Sequence, residues 1–232
     1  MGRLLVEEVA VAGCPLSGGT RSGETLGALA ATSDVVVDFT RASAVQGHAE
    51  ALVTAGTAWV LGTSGLSAAD EAVVARAATQ IPVVYAANFS AGVTLVLALA
   101  ERMAAALPSA QYDAEILEMH HRQKVDAPSG TAIALGRAVA AGRSVDLADV
   151  MQSGRDGHTG ARQTGAIGFA ALRGGQIVGE HSLLFAGADE QIILTHKAFD
   201  RRTFASGAVR AALWVAGRPA GLYGMRDVLG LS

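Results

Sequence analysis

Short β-branched apolar runs alternate with Ala-rich stretches of helical spacing through the first 90 residues. Asp34-Val35-Val36-Val37-Asp38-Phe39 predicts a buried strand. Helix formers over 42–55 stop at Gly56, a candidate C-cap. Ala58-Trp59-Val60-Leu61 predicts a second strand that runs into Gly62-Thr63-Ser64-Gly65. Ser67, with Asp70 three residues on, has the pattern of a capping box and predicts a helix over about 68–79. Pro82 to Ala86 predicts a third strand, and an Ala/Val-rich stretch over 4–13 a leading helix. Strands and helices alternating at this spacing imply βαβ units and a parallel sheet.

The pattern changes after residue 90. Thr94 to Leu107 predicts an apolar helix stopped by Pro108, 114–119 a strand, and Thr131 to Ala141 another helix. Three longer strand candidates follow, Ala166–Leu172, Ile177–Phe185 and Gln191–Lys197, joined by turns rich in Gly, Ala and Asp. Short turns between them point to a mixed, mostly antiparallel sheet. Residues 203–216 predict a last helix. The fold class is therefore α/β, with a nucleotide-type parallel-sheet half and an α+β half.

Composition narrows the function classes. A chain of 232 residues with 50% hydrophobic and 17% charged residues is not disordered and needs no staples to bury a core. Twenty-eight glycines point to tight turns and close backbone approach. A single cysteine, Cys14, excludes an internal disulfide framework and a cysteine-rich zinc site. The net charge of −3 argues against a nucleic-acid binder held by bulk electrostatics. The N-terminus lacks a signal peptide's apolar core. Ala77 to Ala100 is uncharged and long enough to span a bilayer, but Pro82, Asn88, Ser90 and Gly92 interrupt it. A cytoplasmic protein without a membrane span is expected.

Ligands of open parallel sheets bind beyond the carboxyl ends of the strands. Three such ends are visible: Asp38-Phe39-Thr40, Gly62-Thr63-Ser64 and Ala86-Ala87-Asn88-Phe89. Their small and polar residues let a flat cofactor approach the backbone, whereas any one of them alone reads equally well as an ordinary turn.

The densest chemistry lies in residues 118–131, Glu-Met-His-His-Arg-Gln-Lys-Val-Asp-Ala-Pro-Ser-Gly-Thr. Basic groups ahead of a helix N-terminus make an anion site, because free N–H groups and the helix dipole add to the side-chain charge. Histidine suits a proton donor, and Lys124 lies within reach of His120 from a helix or from many loop shapes. Rival readings are a purely structural His pair and a metal site joining His120 or His121 to His158 or His181. Neither spacing matches a zinc pattern, and the adjacent Arg122 and Lys124 repel a cation, so no metal is expected. Lys124 ahead of Ser129-Gly130-Thr131 is the wrong order for a P-loop, and Ser129 lacks a nucleophile elbow.

Glu118-Met119-His120-His121-Arg122-Gln123-Lys124-Val125-Asp126-Ala127-Pro128-Ser129-Gly130-Thr131-Ala132 resembles the signature of the bacterial 4-hydroxy-tetrahydrodipicolinate reductase (dihydrodipicolinate reductase) family of lysine and diaminopimelate biosynthesis. Val37-Asp38-Phe39-Thr40, Gly62-Thr63-Ser64-Gly65 and Ala86-Ala87-Asn88-Phe89-Ser90 are similar to its cofactor-domain landmarks. Gly154 to Gly160, Gly179-Glu180-His181, Thr195 to Ala198 and Met225 to Leu229 continue the likeness, which covers nearly all of the chain from about residue 35. The resemblance implies NADH- or NADPH-dependent reduction of a small cyclic dicarboxylate, giving tetrahydrodipicolinate. It implies a Rossmann-like dinucleotide-binding domain over 1–90 and 202–232, a substrate-binding and oligomerisation domain over 91–201, and a homotetramer. On matching positions His120 is the proton donor/acceptor and Lys124 a second proton donor that also meets the substrate. His121, Gly130 and Thr131 then hold substrate carboxylates, and Gly62, Thr63, Ser64, Ala86, Ala87, Asn88 and Phe89 line the cofactor.

The N-terminus departs from the family pattern. Family members open on a strand and a Gly-x-x-Gly-x-x-Gly turn, while Met1-Gly2-Arg3 resembles the end of that turn. The segment Pro15 to Gly23 is short and lacks the acidic residue expected at the ribose, and Arg21 reads as a solvated loop residue or a partner for a 2′-phosphate. A sheet without that strand is expected to expose a backbone edge. The expectation is that residues are missing ahead of Met1. The alternative is a divergent relative with impaired cofactor binding that serves as a dicarboxylate-binding or assembly protein. A pyridine-nucleotide oxidoreductase acting on another small dicarboxylate also stays open.

Overall fold

The computed structural model describes every residue except Ser22 and Ser232. Its elements run α1 (Gly2–Val11), α2 (Gly27–Ala30), β1 (Val35–Asp38), α3 (Val45–Ala55), β2 (Ala58–Leu61), α4 (Ala68–Ala78), β3 (Pro82–Tyr85) and α5 (Ala91–Ala106). Then come β4 (Asp113–His120), α6 (Gly130–Gly142), α7 (Leu147–Val150), β5 (Met151–Ser153), β6 (Ile167–Arg173), β7 (Gly179–Ala186) and β8 (Gln191–Ala198). The chain ends in α8 (Arg202–Val215), β9 (Gly221–Tyr223) and α9 (Met225–Leu229). It divides into two compact units, Met1–Ala91 with Arg201–Ser232, and Gly92–Asp200.

In the first unit four parallel strands lie in the order β1-β2-β3-β9. Alternation along β2 sends Ala58 and Val60 to one face and Trp59 and Leu61 to the other, and all four are buried. The first face packs on α1 and α8 through Leu5, Ala208 and Val215; the second packs on α3 and α4 through Leu52 and Val74. Burying each large apolar side chain stabilises the fold by about 1.5–3 kcal/mol. Ser67 and Asp70 close the capping box of α4, and Gly56 ends α3 in the left-handed region at φ 69°. Ser67, Asp70 and Gly56 thus behave as the sequence pattern predicts. Strand β9, with three residues, and helix α9, with five, are too short for periodicity to show in the sequence. Among the described residues β1 and β9 each pair on one side only, so they are the two edges of the sheet.

In the second unit five strands lie in the order β5-β6-β4-β7-β8. The sheet is mixed, as the sequence pattern predicts, with more of its paired positions antiparallel than parallel. The β5–β6 and β6–β4 pairs are parallel, and β4–β7 and β7–β8 are antiparallel. Strands β6 and β7 follow each other in sequence yet do not form a hairpin, because β4 lies between them. The connection over 174–178 crosses the carboxyl end of β4, where Gly174 N–H donates to the His120 carbonyl (2.9 Å) and His121 N–H to the Ile177 carbonyl (2.8 Å). This crossing holds the backbone of both histidines in place.

Period-two alternation gives the second sheet two unlike faces. Ala114, Ile116, Glu118 and His120 of β4 are buried, and the apolar pair packs with Phe169, Leu183 and Phe185 against α5 and α6. The opposite face carries Leu117, Leu172 and Ile193, exposed at 37%, 52% and 57%.

Candidate active site

Glu118 is the centre of the site in the second unit. It stands two residues before His120 on β4, so both side chains leave the same face of the sheet. The carboxylate is 1% exposed and accepts four hydrogen bonds. Arg173, from the end of β6, donates twice, Nη1 to Oε2 and Nη2 to Oε1, both at 2.8 Å. His120 Nδ1 lies 2.6 Å from Oε2, and Ser129 N–H donates to Oε1 at 3.1 Å. Burial pushes the Glu118 carboxyl up, but the bonds from Arg173 and His120 outweigh it, and the net position is below the usual carboxylate range.

Ser129 links this carboxylate to α6. It is the N-cap of that helix; its Oγ accepts from Ala132 N–H at 3.3 Å and lies 3.0 Å from His181 Nε2. Gly130 and Thr131 form the first turn of the helix, where backbone N–H groups point outward along the axis. The His181 ring packs edge-on to His120, with centroids 5.0 Å apart. Burial, aided by the neighbouring His120, pushes the His181 imidazole down to about 4, so it is neutral near pH 7.

The segment after β4 is a loop and not a helix, so Lys124 does not share a helical face with His120. Lys124 N–H donates to the His121 carbonyl at 3.1 Å, and its ammonium meets both oxygens of Asp126 at 2.8 Å. The bond from Lys124 holds the Asp126 carboxyl below its usual range. His121 is half-buried, and its Nδ1 is buried without a hydrogen-bond partner. Among the described residues no three His, Cys, Asp or Glu side chains are grouped to hold a metal ion.

The remaining candidate residues lie in the first unit, beyond the carboxyl ends of β2 and β3. Gly62 N–H donates to the Asp38 carbonyl at 2.8 Å, and a Cβ there would fall 2.4–2.7 Å from the Phe39 ring. Thr63 is buried and its hydroxyl has no partner, whereas Ser64 and Ala87 are exposed. Asn88 Oδ1 accepts from Ser90 N–H at 2.8 Å, and buried Phe89 meets the Phe39 ring at 5.4 Å. Gly207 of α8 keeps this turn in place, since a Cβ there would lie 1.7 Å from the Phe89 carbonyl oxygen. A glycine-lined strand end with an orphaned buried hydroxyl fits a flat polar ligand such as a dinucleotide. Arg21 is exposed, and its N–H donates to Glu24.

The partners of several residues here escape sequence reasoning, even where the residue itself stands out. Arg173 and His181 reach Glu118 and Ser129 only through strand pairing. Buried Asp38 accepts from the Thr40 N–H and hydroxyl and pairs with His48 Nδ1 at 2.8 Å. Glu118 was within reach, since its i, i+2 relation to His120 puts both on one strand face.

A nucleotide-type parallel sheet joined in one chain to a sheet that buries a histidine against a carboxylate fits the class of two-domain enzymes that pair a nucleotide-type fold with acid–base chemistry. Known proteins carry this further. Residues 3–89 match the family described as Dihydrodipicolinate reductase, N-terminus, and residues 92–229 match Dihydrodipicolinate reductase, C-terminus. The 4-hydroxy-tetrahydrodipicolinate reductase of Granulibacter bethesdensis is 64% identical over 100% of this chain and 93% of its own length. That of Acidiphilium cryptum is 66% identical over 100% and 94%. A solved dihydrodipicolinate reductase from Paenisporosarcina sp. TG-14, bound to dipicolinate, shares the fold with a TM-score of 0.74 at 27% identity, covering 97% of this chain and 94% of that one. The chain belongs to the dihydrodipicolinate reductase family, NAD(P)H-dependent oxidoreductases of lysine and diaminopimelate biosynthesis whose N-terminal domain binds the dinucleotide.

Proposed function

We propose that this chain reduces 4-hydroxy-tetrahydrodipicolinate or dihydrodipicolinate to tetrahydrodipicolinate, with His120 and Lys124 as its proton-transfer groups. The observation that carries the reading is His120 at the end of β4, tied through buried Glu118 to the N-cap of α6. NADH or NADPH, when bound, supplies a hydride to the substrate ring. Gly62, Thr63, Ser64, Ala86, Ala87, Asn88 and Phe89 would hold it, so that the first unit is the dinucleotide domain and the second the substrate domain.

His121 and the N–H groups of Gly130 and Thr131 bind the substrate carboxylates, as the positive end of the helix dipole favours an anion there. One hydride and one proton complete the reduction: His120 delivers that proton to the ring carbon next to the one reduced, and Lys124 is the second group placed to donate it. Hydride addition builds negative charge on the ring, which the cationic side chains stabilise. Titration with NADPH and NADH, followed by nicotinamide fluorescence on protein whose fold is checked by circular dichroism, tests the reading. Saturable micromolar binding, with nicotinamide oxidation when the cyclic dicarboxylate is added, is the expected result. A folded chain that binds neither nucleotide would overturn it.

Leu117, Leu172 and Ile193 support a second assignment, a homotetramer built through the open face of the mixed sheet. They come from three strands and face the same side, and an apolar face of this kind marks an association surface. Light scattering is expected to give four times the mass of one chain, and Ile193→Glu to lower it; a parent that scatters as a monomer sinks the assignment. Among the described residues no helix is long and apolar enough to cross a membrane. A cytoplasmic location, where biosynthetic dicarboxylates and NADPH are at hand, completes the proposal.

A further inference from the structure

We infer that Glu118 is the positioning residue of the proton-transfer site: its carboxylate locks the His120 ring with Nδ1–H inward, leaving Nε2 as the nitrogen that exchanges the proton. The inference rests on His120 being the proton donor.

The hydrogen-bond inventory around the carboxylate leads to it. An ionised carboxylate only accepts, so the His120 nitrogen 2.6 Å from Oε2 must carry its hydrogen there. Every other group on that carboxylate is also a donor: both Arg173 Nη atoms and the Ser129 N–H. The ring therefore has one tautomer when neutral, and when doubly protonated it still meets an acceptor. His120 is 8% exposed, so water offers its Nδ1 little alternative. A second consequence follows from the same atoms. Oε1, which takes Ser129 N–H, sets the start of α6, so one carboxylate registers the proton donor against the helix turn proposed to bind the substrate.

Glu118→Gln separates positioning from mere packing, because the new amide must choose which side carries its NH2. At the Oε1 position an NH2 would oppose two donors, Arg173 Nη2 and Ser129 N–H. At the Oε2 position it opposes only Arg173 Nη1, and it meets His120 Nδ1 favourably if that nitrogen becomes an acceptor. The amide therefore settles with its NH2 toward His120 and converts the ring to the Nε2–H tautomer. The imidazolium form loses its partner at the same time.

Nitrogen-15 NMR of the full chain, labelled at histidine, reads the tautomer directly. In the parent protein His120 is expected as Nδ1–H when neutral, and in Glu118→Gln as Nε2–H. Turnover in the variant should fall about 10²–10⁴-fold, the range for losing an effective general acid, with KM little changed. A neutral Nε2–H tautomer in the parent would overturn the inference without any variant, and so would parent-like turnover by a folded Glu118→Gln protein. The tautomer is read without substrate or nucleotide, so it decides the Glu118 inference on its own terms. Turnover by the parent decides the reductase reading separately.

Discussion

Lys124→Ala is expected to lower turnover by about 10²–10⁴-fold, the contribution of a positioned proton donor, and to raise KM if the same ammonium meets the substrate as proposed. The fold should survive. Lys124 sits in a loop, and its ion pair with Asp126 is partly open to solvent, the Asp126 side chain being 55% exposed. Pairs of this kind contribute about 0–1 kcal/mol. Circular dichroism and the thermal midpoint should therefore match the parent while steady-state nicotinamide oxidation collapses. Lys124→Arg restores charge but not a compact ammonium that gives up its proton, so it should recover KM before kcat. Near-normal turnover in Lys124→Ala would remove the residue from the proton-transfer scheme.

Arg173→Met should have the largest effect on stability. Glu118 is 1% exposed and Arg173 22% exposed, and the pair is bidentate. Removing one partner of a buried pair costs about 3–5 kcal/mol, because the other charge is left desolvated. At about 2–4 °C per kcal/mol for a chain of this size, the thermal midpoint should fall by the order of 10 °C.

The pH dependence gives this prediction a sign. In the parent the folded Glu118 carboxyl lies below its unfolded value. It therefore adds stability above the unfolded carboxyl range and loses it as pH falls through the folded value. In Arg173→Met the principal lowering partner is gone and burial dominates, so the folded carboxyl moves above the unfolded one. The variant then loses stability as pH rises through the folded value and recovers some on acidification toward about pH 4–5. Thermal melts of both proteins across pH should show a gap that is widest above neutrality and narrows in acid. A gap independent of pH would mean that Glu118 carries no uncompensated charge when Arg173 is gone.

The parallel sheet of the first unit is legible because a buried strand such as Ala58–Leu61 is a short apolar run between turn signals, and Gly56 and Ser67 punctuate it locally. The same local signals mark β4 and the start of α6. The order of the second sheet is not legible, since turn signals around 174–175 look the same whether the chain makes a hairpin or crosses the end of β4. The environment of His120 escapes for the same reason. Its neighbour Glu118 is local, but Arg173 stands 55 residues from Glu118 in sequence and His181 stands 52 from Ser129.

By itself the sequence determined the class of each half, the boundaries of most elements and the family, through the contiguous motif over 118–131. Helix caps, strand alternation and a contiguous motif depend on residues within a few positions of one another. Only the tertiary structure decided that β4 is inserted between β6 and β7, that Glu118 is buried beneath Arg173, and that Ser129 ties the cap of α6 to both Glu118 and His181. Those are long-range pairings, chosen because a buried carboxylate and two buried imidazoles must find partners wherever the chain brings them.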